Sequence, residues 1–320
     1  MTTGNRPPHL AVIIPAHNEA SRVGECLNSI RAALEYAEVT DAEVIVVDDH
    51  STDETSEVAR AHGAVAIRQS KRLGQMAACS AGVVNSSASL LFFADADCRV
   101  AKGAFSALLR GFARPTVGVV AARSEPEPRV TVKSLVERSG TFSAVVLHET
   151  KSRLVNHDFL PIGRLFALRR AAWQAGDDQQ RPCDRIYASR AKRAGWEIIY
   201  MPDAVVYYQP VETYGELWSA YNRSADTHSR ARLVADWAEP LPRGAVCRAG
   251  VASVRRQPLS AAVWLALRTR LWSERVLGLA RPGGGFAGSG AWESLSPSSR
   301  SHSRPGPGHQ APEQPAGRPG

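Results

Sequence analysis

Two carboxylates, Asp95 and Asp97, stand two residues apart just after the apolar run Leu90-Leu91-Phe92-Phe93. Residues two apart at the mouth of an extended segment point to the same side. Their oxygens are hard donors suited to Mg²⁺ or Mn²⁺, ions that keep waters and bridge substrate phosphates. A lone D-x-D is common by chance. Its weight here comes from its position after a buried strand, about one strand-helix-strand unit beyond a second acidic cluster, Val47-Asp48-Asp49-His50-Ser51-Thr52-Asp53. In that cluster a carboxylate at a strand end, Asp48 first, can accept hydrogen bonds from a base imide or a ribose hydroxyl. Ser51 or Thr52 caps the helix that follows, and Asp53 and Glu54 suit its first turn through the helix dipole.

Two further segments fit a nucleoside diphosphate held with a divalent cation. In Pro15-Ala16-His17-Asn18-Glu19 the flat ring of His17 can lie against a base, while Asn18 and Glu19 read equally well as helix caps. In Cys183-Asp184-Arg185, ahead of a helical stretch ending at Arg193-Ala194-Gly195-Trp196, Asp184 is the first choice for the base that takes a proton from an acceptor. Asp177 and Asp178 stand behind it, and the competing role for Asp184 is a helix N-cap.

These residues need elements to position them. Apolar runs at 9–14, 43–47, 64–68, 89–94 and 117–121 alternate with helical patterns at 20–36, 53–61 and 74–84. Apolar runs separated by helices predict an α/β fold with a mainly parallel sheet, and in such sheets ligands bind outside the carboxyl ends of the strands. His17, Asp48, Asp49, Asp95 and Asp97 all fall at such ends. The segment 126–157 breaks the rhythm, and a new unit runs from about Phe159 to Tyr208. The expected organisation is a flexible N-terminus at 1–8, a donor-binding half at 9–125 and an acceptor-binding half at 126–210. A helical extension at 211–280 and a disordered tail at 281–320, rich in Gly, Pro and Ser, complete it.

The bulk numbers bound the function. With 320 residues, 44% hydrophobic and 22% charged, the chain can bury a large core. Of its formal net charge of +8, most lies late: from Ala204 onward there are 14 Arg against 8 Asp plus Glu. That balance suits a phosphorylated or lipid-linked acceptor, or peripheral contact with an anionic membrane, as well as a plain solvated surface. The run 259–280 is broken by Arg268, Arg270, Glu274 and Arg275, too short an apolar stretch for the roughly 20 residues a bilayer needs. It reads either as an interfacial helix with Trp264 and Trp272 at the headgroups or as a helix packed on the domain. Five cysteines without a C-x-x-C pair, and no apolar leader before His9, point to reduced thiols in a cytoplasmic protein, with the inner face of the membrane as its peripheral site. No G-x-G-x-x-G follows the first strand, which argues against a dinucleotide oxidoreductase. No nucleic-acid module is recognisable, so nucleic acid is not an expected partner.

Taken together and in order, Ile14-Pro15-Ala16-His17-Asn18-Glu19, Val46-Val47-Asp48-Asp49-His50-Ser51-Thr52-Asp53 and Ala94-Asp95-Ala96-Asp97 resemble family 2 glycosyltransferases, with the GT-A nucleotide-diphospho-sugar transferase fold. The resemblance covers roughly 9–210 and extends to Gly163 through Arg170 and Asp184 through Gly195. It implies an inverting transfer from a nucleotide-diphospho-sugar, UDP-linked first and GDP- or dTDP-linked behind it, with Mn²⁺ or Mg²⁺ as cofactor. It implies Asp97 as the metal residue and Asp184 as general base. Pro15, His17, Glu19, Asp48, Asp49, Lys71, Gly74 and Asp95 form the implied nucleotide-sugar set, with Asp48 on the base and Asp95 on the ribose. The implied acceptor is a cell-envelope or secondary-metabolite glycan, a metabolite, or a polyprenyl phosphate. The chain departs from the family pattern at His17, where an aromatic is usual, at Cys183, where Glu is common, and at Cys79-Ser80, where an Arg-Asn pair is frequent. These departures make a non-catalytic nucleotide-sugar-binding module the alternative.

Overall fold

A computed structural model describes residues 10–128, 134–153, 163–174, 183–221 and 243–276. Four strands, β1 (Leu10–Ala16), β2 (Ala42–Asp48), β3 (Val65–Arg68) and β4 (Leu90–Ala94), pair in parallel in the spatial order β3-β2-β1-β4. Helices α1 (Val23–Tyr36), α2 (Thr55–Ala61) and α3 (Gln75–Val84) make the crossovers. The sheet continues with β7 (Leu165–Arg169), β6 (Val117–Pro126), β8 (Glu197–Tyr208) and β5 (Cys98–Val100), in the order β4-β7-β6-β8-β5. Here β7 runs antiparallel to both β4 and β6, β8 is parallel to β6, and β5 is antiparallel to β8. Helix α4 (Ala104–Gly111) precedes β6, and α6 (Cys183–Arg193) precedes β8.

Strand alternation divides the core into two layers. Leu10, Val12 and Ile14 of β1 join one apolar cluster with Val23, Leu27 and Ile30 of α1, whereas Ala11 and Ile13 join another with Met76 and Val83 of α3. In β4, Phe92 meets Phe105 of α4 edge-on at 5.1 Å, and Phe93 stacks on Phe166 of β7 at 4.8 Å on the opposite face. Such fully buried strands read as continuous apolar runs, which is why they were legible. Helix α3 lies so close to β1 that a Cβ on Gly82 would collide with Ile13.

The segment 126–157, which lacks a clear strand or helix rhythm, contains α5 (Leu135–Lys151). Ser134 caps it by accepting from the Glu137 backbone N–H at 3.1 Å, half of a capping box whose Ser-x-x-Glu spacing was present in the sequence. Residues 214–221 form a short helix α7, followed by α8 (Arg243–Arg256) and α9 (Pro258–Val276). Both α8 and α9 pack on α5. No helix among the described residues is long and apolar enough to cross a membrane. The expected flexible terminus at 1–8 and tail at 281–320 lie outside the described residues.

Candidate active site

The site begins where β1 and β2 end side by side. Asp49 N–H donates to Ala16 O at 2.8 Å, extending the ladder one residue past the strand. The chain then turns through left-handed conformations at Asn18 (φ 56°) and His50 (φ 62°), residue types that tolerate this region better than most. The two turns are bonded to each other. Asn18 N–H donates to Ser51 Oγ at 2.9 Å, Thr52 N–H to Asn18 Oδ1 at 2.8 Å, Glu19 N–H to Thr55 Oγ1 at 2.8 Å and Ala20 N–H to Asp53 Oδ2 at 3.1 Å. His17 Nδ1 lies 2.9 Å from Asp49 O, so this ring is fixed against β2. Asn18 and Asp53 therefore act as fasteners between two loops.

Asp48 and Asp49 are both fully buried. Asp48 accepts from Ser51 N–H at 2.7 Å, from the Ser56 hydroxyl and from Arg68 Nη1 at 3.2 Å. Burial pushes its carboxyl up, but the bonds from Ser51 and Ser56 and the Arg68 charge outweigh it, leaving Asp48 below its ordinary value. Asp49 accepts from Leu73 N–H at 2.7 Å and from Gly74 N–H at 2.9 Å, anchoring the loop that enters α3. Gly74 has φ 98°, a conformation that favours glycine. Lys71 stands exposed on the same loop, and Pro15 is buried within β1 opposite Val47.

At the end of β4 the charges alternate. Glu19 pairs with Arg22 at 2.6 Å, Arg22 reaches Asp97 at 3.9 Å, and Arg164 lies 3.0 Å from Asp97 and 3.5 Å from Asp95. Gln75 Nε2 donates to Asp95 Oδ1 at 3.3 Å, and Arg164 also stacks over the Tyr208 ring at 4.5 Å. Burial raises Asp95, with the Asp97 charge adding to it; for Asp97 burial acts the same way but is outweighed by Arg164 and Arg22, which hold that carboxyl low. Burial also lifts Glu19 to about 7, against the pull of Arg22. The sequence reading assigned neither Arg164 nor Arg22. Both come from elements distant in sequence or from a turn, and no spacing rule announces them.

Asp95, Asp97 and Cys98 bring one donor atom each within 4.8 Å of one another. Two carboxylates fit Mn²⁺ or Mg²⁺, whereas a thiol is a soft ligand. The Cys98 Sγ donates to Asp97 Oδ1 at 3.4 Å, and burial holds the thiol well above its ordinary value, so it stays protonated. The donor set suited to a hard cation is thus Asp95 and Asp97, with Cys98 supporting Asp97.

Asp184 sits half-buried in the first turn of α6, and its Oδ2 accepts from Gly163 N–H at 3.0 Å. Its charge contributes to raising Asp95, and the Gly163 that it holds adjoins Arg164, whose side chain reaches both Asp95 and Asp97. Gly163 (φ 83°) is wedged: a Cβ there would lie 3.0 Å from Ser124 Oγ and 3.5 Å from Lys151 Nζ. Lys151, at the end of α5, is buried, donates to Ala122 O at 2.9 Å, and is brought down to about 7 by burial, which the Asp184 charge only partly opposes. It was not singled out in the sequence because a lysine closing a polar helix ordinarily faces water. Asp177 and Asp178 lie outside the described residues, and of the Cys183 side chain nothing is described. Cys79 and Ser80 are buried in α3, and Ser80 Oγ lies 3.3 Å from the Tyr187 hydroxyl of α6.

Comparison with known proteins bears on the fold and the family of the chain. The 4,4'-diaponeurosporenoate glycosyltransferase of Staphylococcus aureus (strain USA300) is 39% identical over 93 residues, covering 28% of this chain and 24% of that protein. The chain thus matches about a quarter of the length of its curated relative. The mannosyltransferase PcManGT of Pyrobaculum calidifontis, solved in complex with GDP-Man and Mn²⁺, superposes with a TM-score of 0.58 at 22% identity, covering 87% of this chain and 82% of that one. It shares the fold: a mixed sheet flanked by helices, with further helices at the C-terminal end. The sequence profile of glycosyl transferase family 2 matches residues 11–175, more than half of the chain, and the protein belongs to that family.

Proposed function

We propose that this chain transfers a sugar, with inversion, from a nucleotide-diphospho-sugar to an acceptor hydroxyl, carboxylate or phosphate. The observation that carries the reading is the convergence of Asp95, Asp97 and Arg164 at the end of β4, with Asp184 of α6 bonded to Gly163, the neighbour of Arg164. Asp95 and Asp97 would hold Mn²⁺ or Mg²⁺, which neutralises the leaving diphosphate. Arg164 and Arg22 supply fixed positive charge beside the same carboxylates and are placed to meet phosphate oxygens. Asp184, held by Gly163 N–H through one oxygen, keeps the other for the acceptor proton. His17, Glu19 and the loop through Lys71 and Gly74 border the donor, and Asp48 and Asp49 act by fastening that border. UDP-linked donors are the first expectation, with GDP- and dTDP-linked donors next.

A lipid-linked or otherwise anionic acceptor is the second reading, favoured by the 14 Arg against 8 acidic residues from Ala204 onward. The name of the Staphylococcus aureus relative points the same way, to 4,4'-diaponeurosporenoate as what that protein glycosylates. The test is nucleoside diphosphate release from a panel of UDP-, GDP- and dTDP-sugars, with Mn²⁺ or with chelator, in the presence of aqueous and lipid extracts as acceptor sources. Metal-dependent release from one donor supports the reading. No release from any donor, with nucleotide binding intact, would favour a binding module.

A further inference from the structure

The outer side of the α8–α9 pair reverses the usual arrangement of a surface helix. On α9 the residues facing α5 include Trp264, whose Nε1 donates to Ser143 Oγ at 2.9 Å and whose ring lies 5.7 Å from Phe142. Trp264 is therefore an anchor on the domain, as in the packed-helix alternative, and is not at a membrane interface beside Trp272. The opposite face carries Leu259, Leu265 and Trp272, which are 74%, 61% and 59% exposed. With Ala262, Ala266 and Thr269 between them, also exposed, they form one stripe at helical spacing. On α8, Ala249 and Ser253 are buried, and Val251 and Val254 face outward beside exposed Arg248 and Arg255. An apolar stripe turned to water on two adjacent helices marks a docking surface rather than scattered surface apolarity.

Charge selects the occupant. From Arg243 to Val276 there are seven arginines and one acidic residue, Glu274. Arg256 pairs with Glu149, and Arg268 and Arg270 stack on Trp264, Tyr221 and Tyr214, so among the described side chains Arg248 and Arg255 give the outer face its positive charge. A second copy docking by two-fold symmetry would set this basic face against itself. The segment 277–320 carries four arginines and two glutamates, so it has the same sign. We infer that the outer face of α8 and α9 docks on the surface of an anionic lipid bilayer, with Leu259, Leu265 and Trp272 entering the headgroup boundary and Arg248 and Arg255 meeting lipid phosphates. This is the arrangement of an interfacial helix that lies on a membrane without crossing it. It is independent of the sugar chemistry and holds whichever donor is used.

The experiment is co-sedimentation of the full chain with vesicles of phosphatidylcholine alone and of phosphatidylcholine mixed with phosphatidylglycerol. Binding is expected on the mixed vesicles, weak on the neutral ones, and reduced by salt. Replacing Arg248 or Arg255 by Gln should each lower the partition coefficient about fivefold. Leu265→Ser with Trp272→Ser should lower it about tenfold or more. Because these side chains are exposed, circular dichroism and melting temperature should be unchanged, which separates lost docking from lost folding. Equal binding to neutral and anionic vesicles, binding indifferent to these substitutions, or a dimer in place of vesicle binding that Trp272→Ser dissociates would each overturn the inference. Nucleotide binding by the same preparations reports on the donor site separately, so failure of one reading leaves the other measurable.

Discussion

Arg164 lies 3.0 Å from the carboxylate of Asp97 and 3.5 Å from that of Asp95, so one guanidinium from the segment before β7 balances both acids at the end of β4. The backbone repeats the connection, with Asp95 N–H donating to Arg164 O at 3.0 Å. A cation bound by the two acids has to share them with this arginine. Replacing Arg164 with Gln should therefore leave the acids mutually repelling in the metal-free protein and remove the competitor. Mn²⁺ should raise the melting temperature of R164Q by more than that of the wild type, measured by thermal shift across a metal titration. Equal shifts would show that the arginine and the metal do not meet at these oxygens.

Asp184 has one oxygen engaged by Gly163 N–H, next to the Arg164 that pairs with Asp95 and Asp97. Asp184→Asn preserves shape and can still accept the Gly163 bond, but it cannot take a proton. Transfer should fall by about a hundredfold or more, while nucleotide affinity changes little. Parallel turnover and titration experiments on the variant check this, and normal turnover would move the base elsewhere.

The buried carboxylate of Asp48 fastens the β2–α2 loop through Ser51, Ser56 and Arg68. Asp48→Ala should destabilise the fold by about 3 kcal/mol, the scale for breaking a buried charged contact. Asp48 is held below its unfolded-state value, so its contribution is complete above about pH 4 and is lost as pH falls through the lower folded value. Denaturant titrations should show the gap between wild type and variant narrowing below pH 4. A gap that stays constant would mean the charge of Asp48 contributes nothing.

Lys151 also makes stability rise with pH, but in a higher window and because burial disfavours its charged form. Its folded value of about 7 lies far below the roughly 10.4 of an unfolded lysine, so the unfolded chain binds more protons between those limits. Over that window the stability of the wild type relative to Lys151→Met should rise with pH, and it should level off above and below. A pH-independent difference would place the ammonium in a better-solvated setting than its burial indicates.

The fold was legible because β1, β4 and the end of β2 are buried on both faces and read as apolar runs, with polar residues gathered at their carboxyl ends, while β3 at the sheet edge is only partly buried. The acids at those ends were legible for the same reason. Their division of labour was not. Asp48 and Asp95 look alike in sequence, yet one is closed inside a loop and the other partly open, because the Ser51 backbone and the Ser56 hydroxyl fold back onto Asp48. Arg164 and Lys151 are joined to the site across long stretches of chain, by β7 lying against β4 and by α5 ending behind Gly163. Sequence periodicity carries no record of such contacts. Helix α5 was missed although its capping box was in view, since the apolar stripe behind that cap is short and interrupted by polar residues.

The most direct test of the central claim is calorimetric titration of UDP, GDP and dTDP into wild-type protein and Asp97→Ala, with Mn²⁺ and with chelator. The account predicts binding of one of these nucleotides to the wild type that requires the metal, and loss of that metal-dependent binding in Asp97→Ala. Nucleotide binding that is indifferent both to chelation and to Asp97 would contradict it.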